Sequence, residues 1–239
     1  ALKAFKLGGN SNFGASTDTG FGFKYETEGG FGFASNIVSK GADGYSKAPL
    51  AKGLMGKNDV SKWDTQVAYT TDRWHVSATL SDAQNWTSQS YNATSLGAGM
   101  KGSDGDTTGY ALRTYWMPEE SGTAVPEISV GYDIISHDGN AGNQVKEATS
   151  YFVGLGWPDM FRDSDYIGFG IGQPLKVTET VNGAAAGDAA LDPLLWELSY
   201  SFKVNDSVTM IPTIFGSSDI QDSTDQDTFG AALTTKFKF

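Results

Sequence analysis

The sequence contains no cysteine, and its apolar residues never run together for long. Without cysteine, the chain cannot rely on the disulfide framework that stabilises many small secreted domains. A membrane-spanning helix needs roughly 20 consecutive, mainly apolar residues, and no stretch of the chain approaches that length. With two histidines and no cysteine, the sequence also lacks the His/Cys spacing typical of zinc sites.

Positive charge is scarce as well. The chain has 17 Lys and Arg residues against 28 Asp and Glu residues, which gives a net charge of −11. Proteins that bind nucleic acid neutralise phosphates with Lys and Arg, so we expect no nucleic-acid partner. The Gly-x-Gly pairs at 154–156 and 168–170 lie in alternating segments with no helix after them, which is not the context of a nucleotide-binding loop. We therefore expect no cofactor.

What the sequence has in abundance is a period-two alternation of apolar and polar residues. It is clearest near the C-terminus, where Phe229, Leu233 and Phe237 alternate with polar residues such as Thr234 and Lys236. Successive side chains of a strand point to opposite faces, so each such segment predicts a strand with one apolar and one polar face. The pattern predicts strands near 21–27, 31–39, 63–71, 74–81, 110–117, 127–134, 149–157, 166–173, 194–204, 207–216 and 227–239. Residues 1–239 are thus expected to form a single all-β domain.

A soluble β-sandwich or an exported β-solenoid would show similar alternation, but three features favour a transmembrane antiparallel β-barrel. Trp63, Trp74, Trp116 and Trp157 lie near strand ends, where the aromatic girdles of membrane barrels are found. The polar faces carry charges in mid-strand, as a water-filled lumen would. The chain also ends on an aromatic strand with Phe239, which is similar to the C-terminal signature of outer-membrane barrel proteins.

The lengths of the connections predict how such a barrel is oriented, because these barrels have short periplasmic turns and longer outer loops. With the C-terminus placed in the periplasm, the short connections are periplasmic: 28–30, 71–73, 118–126, 159–164 and 205–206. The long connections are then outer: 40–61, 82–107, 137–147, 179–192 and 217–227. Single-chain bacterial barrels usually have an even number of strands, so residues 1–8 are expected to add a twelfth. The start at Ala1, without Met or an apolar signal segment, is typical of a mature or trimmed product.

Several segments resemble cyanobacterial outer-membrane porins. The likeness extends over residues 107–239 and lies in residues 112–120, 125–133, 151–157, 167–174, 200–212 and 234–239. Some members of that family are described as iron-uptake or carbohydrate-selective porins. The resemblance implies passive transport of small solutes and ions through an outer-membrane barrel that assembles as a homo-oligomer, a trimer. It does not imply a substrate, because the sequence shows no substrate-binding motif.

Family members also carry an N-terminal S-layer-homology domain that grips peptidoglycan, followed by a helical linker. These 239 residues contain neither, and a longer precursor would be needed to supply them and any further strands. One alternative to a porin is therefore a structural barrel with a plugged lumen that mainly ties the outer membrane to the cell wall.

The polar faces of the predicted strands identify the residues expected to line a pore. The positive residues are Lys24, Arg113, Lys203, Lys236 and Lys238; the negative ones are Glu26, Asp64, Glu127, Asp133 and Glu197, with His75 on the same side. Charge selectivity in a pore depends on such residues, and a balanced wall predicts a weak filter.

The predicted loop 82–107 is the longest connection, and loops of that length are usually functional or disordered. It holds Trp86, Tyr91 and Met100, which need an apolar surface to pack against. We expect it to fold into the pore, where its charged residues would lie near a constriction: Asp82, Lys101, Asp104 and Asp106. The alternative is a loop that caps the outside or contacts a neighbouring subunit.

Two further patterns suggest chemistry only weakly. Four carboxylates in a predicted outer loop, Asp219, Asp222, Asp225 and Asp227, are a candidate divalent-cation site, although their spacing is not that of an EF-hand and a solvated loop is the simpler interpretation. A barrel enzyme would need a catalytic His near the outer rim. His137 is placed there, but a solvated loop histidine is the favoured interpretation, so we expect no enzyme.

Overall fold

The computed structural model describes residues 19–39, 61–84, 106–138, 145–180, 194–218 and 227–238. All of the regular secondary structure in these residues is β-strand. Within this described part of the chain, no helix is long and apolar enough to cross a membrane.

Eleven strands form one antiparallel sheet in which each strand pairs with its neighbours in sequence. They are β1 (Thr19–Glu26), β2 (Phe31–Ser39), β3 (Ser61–Thr70), β4 (Trp74–Gln84), β5 (Thr107–Trp116), β6 (Glu127–His137), β7 (Val145–Pro158), β8 (Tyr166–Thr180), β9 (Leu194–Asn205), β10 (Val208–Ser218) and β11 (Thr228–Phe237). All eleven predicted strands are confirmed. The expected twelfth strand, at residues 1–8, lies outside the described residues.

The described sheet is an open one, because β1 and β11 are its two edges and do not pair with each other. The finding is therefore an all-β antiparallel meander of eleven described strands. That this sheet closes into a transmembrane barrel stays a prediction.

The strand register divides the side chains into two faces that continue across the whole sheet. Directly paired residues of antiparallel strands point to the same face. Leu198 pairs with Phe169 on β8 and Ile214 on β10, and this set continues around the sheet as an apolar face. Glu197, one residue away, lies on the opposite face, which we call the polar face.

The apolar face is open to its surroundings. Phe21 is 68% exposed, Leu112 53% and Phe229 71%, although they lie on strands at both edges and in the middle of the sheet. Charged residues of the strands concentrate on the polar face, although Asp82 of β4 lies on the apolar face. The two faces thus differ in chemistry across the sheet.

The connections also differ between the two ends of the sheet. At one end, which we call the short-turn end, the strands are joined by 27–30, 71–73, 117–126, 159–165 and 206–207, and at the other by 40–60, 85–106, 138–144, 181–193 and 219–227. The predicted alternation of short and long connections is confirmed in part. Connections 40–60, 85–106 and 181–193 are longer than any at the short-turn end, but 117–126 has ten residues, more than 138–144 with seven or 219–227 with nine. All five predicted outer loops overlap the strands beside them, because β3, β4, β5, β6, β7, β8 and β10 extend further than their alternation indicates.

The turn between β7 and β8 is held in shape by Asp165. Its carboxylate accepts hydrogen bonds from the backbone amides of Met160, Phe161 and Arg162 at 2.8–3.1 Å and from the Tyr200 hydroxyl at 2.8 Å. Burial alone would raise the pKa of Asp165, but these hydrogen bonds outweigh it and hold the pKa below its ordinary value. The carboxylate therefore stays ionised and rigidifies the turn.

Gly30 is required in the turn between β1 and β2. Its φ is +85°, and its carbonyl accepts a hydrogen bond from the Thr70 amide at 2.8 Å. A Cβ at this position would collide with the Thr70 carbonyl oxygen. We expect Gly30→Ala to lower the free energy of unfolding by about 1–3 kcal/mol, measured by urea denaturation.

The neighbouring glycine is a matched control for this prediction. A Cβ at Gly29 would meet only the Thr27 hydroxyl, at 3.8 Å. Gly29→Ala should therefore change stability by less than about 0.5 kcal/mol. Equal losses in the two variants would show that the left-handed backbone at Gly30 is not what the turn depends on.

Candidate functional site

The polar face of the sheet is the candidate site, because it gathers the charged residues singled out in the sequence. The register places ten of the eleven expected pore-lining residues on this face: Lys24, Glu26, Asp64, His75, Arg113, Glu127, Asp133, Glu197, Lys203 and Lys236. Lys238 follows the end of β11, and its amide donates to the Ser207 carbonyl at 2.9 Å. That these residues line a pore stays a prediction.

An ion pair with a buried carboxylate joins β5 and β6 on the polar face. Arg113 donates to both carboxylate oxygens of Asp133, at 2.7 and 2.8 Å, and the Ser150 hydroxyl donates to the same carboxylate at 3.0 Å. Asp133 is 1% exposed, whereas the Arg113 side chain is 32% exposed. Gly131 lies beside the guanidinium, where a Cβ would approach Arg113 to 3.2 Å. The pair thus presents one edge of a fixed guanidinium to the space above the sheet.

A second cluster lies on β3 and β4. Lys62 pairs with Asp64 at 2.8 Å, and the Ser81 hydroxyl donates to Asp64 in a short hydrogen bond. Lys62 is only 5% exposed. Lys62 and Asp64 border a cavity of about 580 Å³, which Lys24 and Asn36 also line. Lys62 was missed in the sequence because its strand was predicted to begin at residue 63, whereas β3 begins at Ser61.

A third cluster crosses β6, β7 and β8. Tyr166 on β8 donates its hydroxyl to Glu127 on β6, at 3.1 Å, and passes over Gly156 of β7. A Cβ at Gly156 would collide with that hydroxyl. The cluster borders a hollow of about 180 Å³. The Tyr166 contact could not be found from the sequence, because it depends on a glycine in the strand between its partners.

The two histidines occupy different ends of the sheet. His75 lies near the short-turn end, with its Nδ1 2.8 Å from the Thr70 hydroxyl. The prediction that His137 is a solvated loop residue is wrong. His137 is the last residue of β6, is 3% exposed, and lies 2.8 Å from the Thr107 hydroxyl through its Nδ1. The sequence suggested a loop because the alternation weakens after residue 134.

Residues 85–105, most of the predicted constriction loop, lie outside the described residues, so its folding into a pore stays a prediction. Asp82 belongs to β4 and pairs with Trp63 and Thr108 on the apolar face, so its side chain does not point to the polar face. The error arose because β4 was predicted to end at residue 81. Asp106 is exposed just before β5, and its carbonyl accepts the Asp138 amide at 2.9 Å. Lys101 and Asp104 lie outside the described residues.

Of the four carboxylates of the candidate cation site, only Asp227 belongs to the described residues. Asp227 is exposed, and Asp219, Asp222 and Asp225 lie outside the described residues. Within the ranges that the structure describes, no group of three or more His, Asp or Glu residues is arranged to hold a metal ion.

Aromatic residues gather at the short-turn end of the apolar face. The rings of Trp74 and Trp116 are 6.1 Å apart, and the guanidinium of Arg73 lies 5.8 Å from the Trp116 ring. Trp157 donates its indole N–H to the Ala124 carbonyl at 3.1 Å. Trp63 lies at the other end of the sheet, near the start of β3, and its indole N–H donates to the Ser35 hydroxyl at 2.6 Å. Aromatic residues thus border the apolar face at both ends, as the sequence predicted.

Comparison of the chain with family models, with curated proteins and with solved structures finds no match. The resemblance to cyanobacterial porins therefore stays a prediction from the sequence.

Proposed function

We propose that this chain is an outer-membrane porin, in which the polar face lines a water-filled β-barrel and the apolar face contacts lipid. One observation carries the proposal: an unbroken antiparallel meander has an exposed apolar face and a charged opposite face. Only helices and closed barrels satisfy backbone hydrogen bonds inside a bilayer, so the proposal requires β1 and β11 to be joined directly or through further strands.

The exposed apolar face favours a lipid environment over water. A soluble monomer rarely leaves contiguous apolar patches beyond a few hundred Å² uncovered. Here large apolar side chains are exposed on strand after strand, including Tyr25, Tyr69, Leu112, Tyr132 and Leu233, which are 43–61% exposed. The aromatic residues at the ends of this face occupy the position of interfacial girdles in membrane barrels.

The polar face supplies what passive diffusion needs, a wall that hydrates solutes without holding them tightly. Several of its charges are neutralised in pairs, such as Lys24 with Glu26 at 2.6 Å and Arg113 with Asp133 at 2.7 Å. With positive and negative residues in similar numbers, the wall has no strong field of one sign, so small hydrophilic solutes and ions of both signs would pass. Pore width and the remaining charges would set selectivity.

The two faces can be tested directly because the chain has no cysteine of its own. Single cysteines at Leu233 and Thr234, adjacent on β11, would carry spin labels on opposite faces of the sheet. In lipid vesicles, the label at Leu233 should be reached by oxygen and the label at Thr234 by a water-soluble paramagnetic reagent. Equal access of the aqueous reagent to both labels would rule out a membrane wall, and absence of channels in planar bilayers would rule out a porin.

Weak cation selectivity is the expected electrical behaviour. The balanced wall provides no strong filter, but the net charge of −11 leaves an excess of acidic residues in the connections, which raises the local cation concentration. Reversal potentials should show a modest cation preference near 0.1 M salt, where the Debye length is about 10 Å, and the preference should fade as salt rises. A strong anion preference that persists at high salt would contradict this prediction.

A further inference from the structure

A small hollow on the polar face combines one carboxylate, Glu127, with two aromatic residues, Phe152 and Tyr166. It has a volume of about 180 Å³ and is lined by Gly154, Leu155 and Gly156 of β7 and Gly168 of β8, together with Glu127, Ser129, Phe152, Tyr166 and Ser199. Glu127 is the one charged residue in this lining, so the hollow carries negative charge.

Two aromatic rings form its sides. The Phe152 ring lies against Gly154, where a Cβ would come within 3.1 Å of it. Tyr166 runs from β8 across Gly156 to Glu127 on β6, so its ring lies along the wall rather than standing away from it. Tyr166 nevertheless remains 37% exposed. An aromatic ring that lies along a wall and stays exposed can present its electron-rich face to a ligand.

The Glu127 carboxylate borders the same hollow as the two rings. Tyr166 donates to one Glu127 oxygen at 3.1 Å, and the Tyr115 hydroxyl also interacts with Glu127. Glu127 is thereby fixed as an acceptor. A carboxylate and aromatic faces around one small space are the groups that recognise quaternary and primary ammonium ions.

We propose that this hollow is a subsite for small organic ammonium ions. Their positive charge would pair with Glu127, and their alkyl groups would contact the rings of Phe152 and Tyr166. The inference deepens the proposed function, on which it rests for the access of solute to this face. A sugar fits less well, because it needs several free donors and acceptors. The side chains that add to Glu127 are the hydroxyls of Ser129, Ser199 and Tyr166, and two of these already donate, Tyr166 to Glu127 and Ser199 to the Gly168 carbonyl at 3.5 Å.

The test is equilibrium binding of tetramethylammonium to the full chain refolded in detergent, measured by saturation-transfer NMR. We expect saturable binding that Glu127→Gln weakens about tenfold, because the charge is lost while an acceptor for Tyr166 is kept. Tyr166→Leu should weaken binding about three- to fivefold, and Tyr166→Phe, which keeps the ring, should weaken it less. Glu26→Gln is the matched control: it removes a polar-face carboxylate outside the hollow and should leave binding unchanged.

The competing outcomes are distinct. The inference is overturned by absence of saturable binding, by Glu127→Gln binding as tightly as the unsubstituted chain, or by tert-butyl alcohol, a neutral molecule of similar shape, binding as well. Binding of glucose that depends on Glu127, without binding of tetramethylammonium, would assign the hollow to sugars instead. Because the assay needs no current, a chain that binds tetramethylammonium but forms no channel would refute the porin and leave the subsite standing.

Discussion

Replacing Leu198 by Arg should lower the stability of the protein in lipid by about 2–4 kcal/mol if this residue lies near the middle of the bilayer. Leu198 lies near the middle of β9 on the apolar face, is 39% exposed, and pairs with Phe169 and Ile214. A guanidinium there would have to be buried among acyl chains. Urea unfolding of the protein refolded into vesicles measures the loss.

Ser199 provides the control at the same depth. It points to the polar face, between Gly168 and Thr213, where an Arg side chain has small neighbours and access to water. Ser199→Arg should therefore be tolerated and should shift ion selectivity towards anions. Equal destabilisation by the two substitutions would mean that the two faces of β9 do not lie in lipid and water.

Removing Asp133 should destabilise the protein by about 3 kcal/mol, near the lower end of the range for breaking a buried ion pair. Asp133 is 1% exposed, and Asp133→Ala would leave Arg113 Nη2 without its carboxylate partner and Ser150 without its acceptor. The estimate is at the lower end because Arg113 itself is about one-third exposed and water can solvate it. Denaturant unfolding of the variant measures the effect.

Two further variants test whether the burial of this carboxylate causes the loss. Glu26→Ala breaks an ion pair of similar length, 2.6 Å, between side chains about two-thirds exposed, and should cost less than about 1 kcal/mol. The double variant Arg113→Met with Asp133→Leu removes both charges and should recover much of the loss. If Asp133→Ala were no more harmful than Glu26→Ala, burial of the carboxylate would not matter to the fold.

The strands and their faces could be predicted because alternation is a local property. Phe229, Leu233 and Phe237 lie on one face of β11 whatever strand is beside it, since side chains of any strand alternate. The same logic placed Glu127 and Asp133 on one face of β6. Strand ends were less well predicted, because hydrogen bonding to a neighbour can prolong a strand after its alternation fades, as at His137.

The sequence by itself determined that the chain is all-β and that its strands have an apolar face and a charged face. It also determined the eleven strands found in the residues that the structure describes. Tertiary structure decided which charges meet. Arg113 reaches Asp133 and Tyr166 reaches Glu127 only through the register of β5 to β8. Register is set jointly by the apolar patterns of both strands and by the turn that joins them, so no single segment encodes it. Asp82 has a different cause: β4 continues beyond its predicted end, and simple alternation then places Asp82 on the apolar face with Leu80.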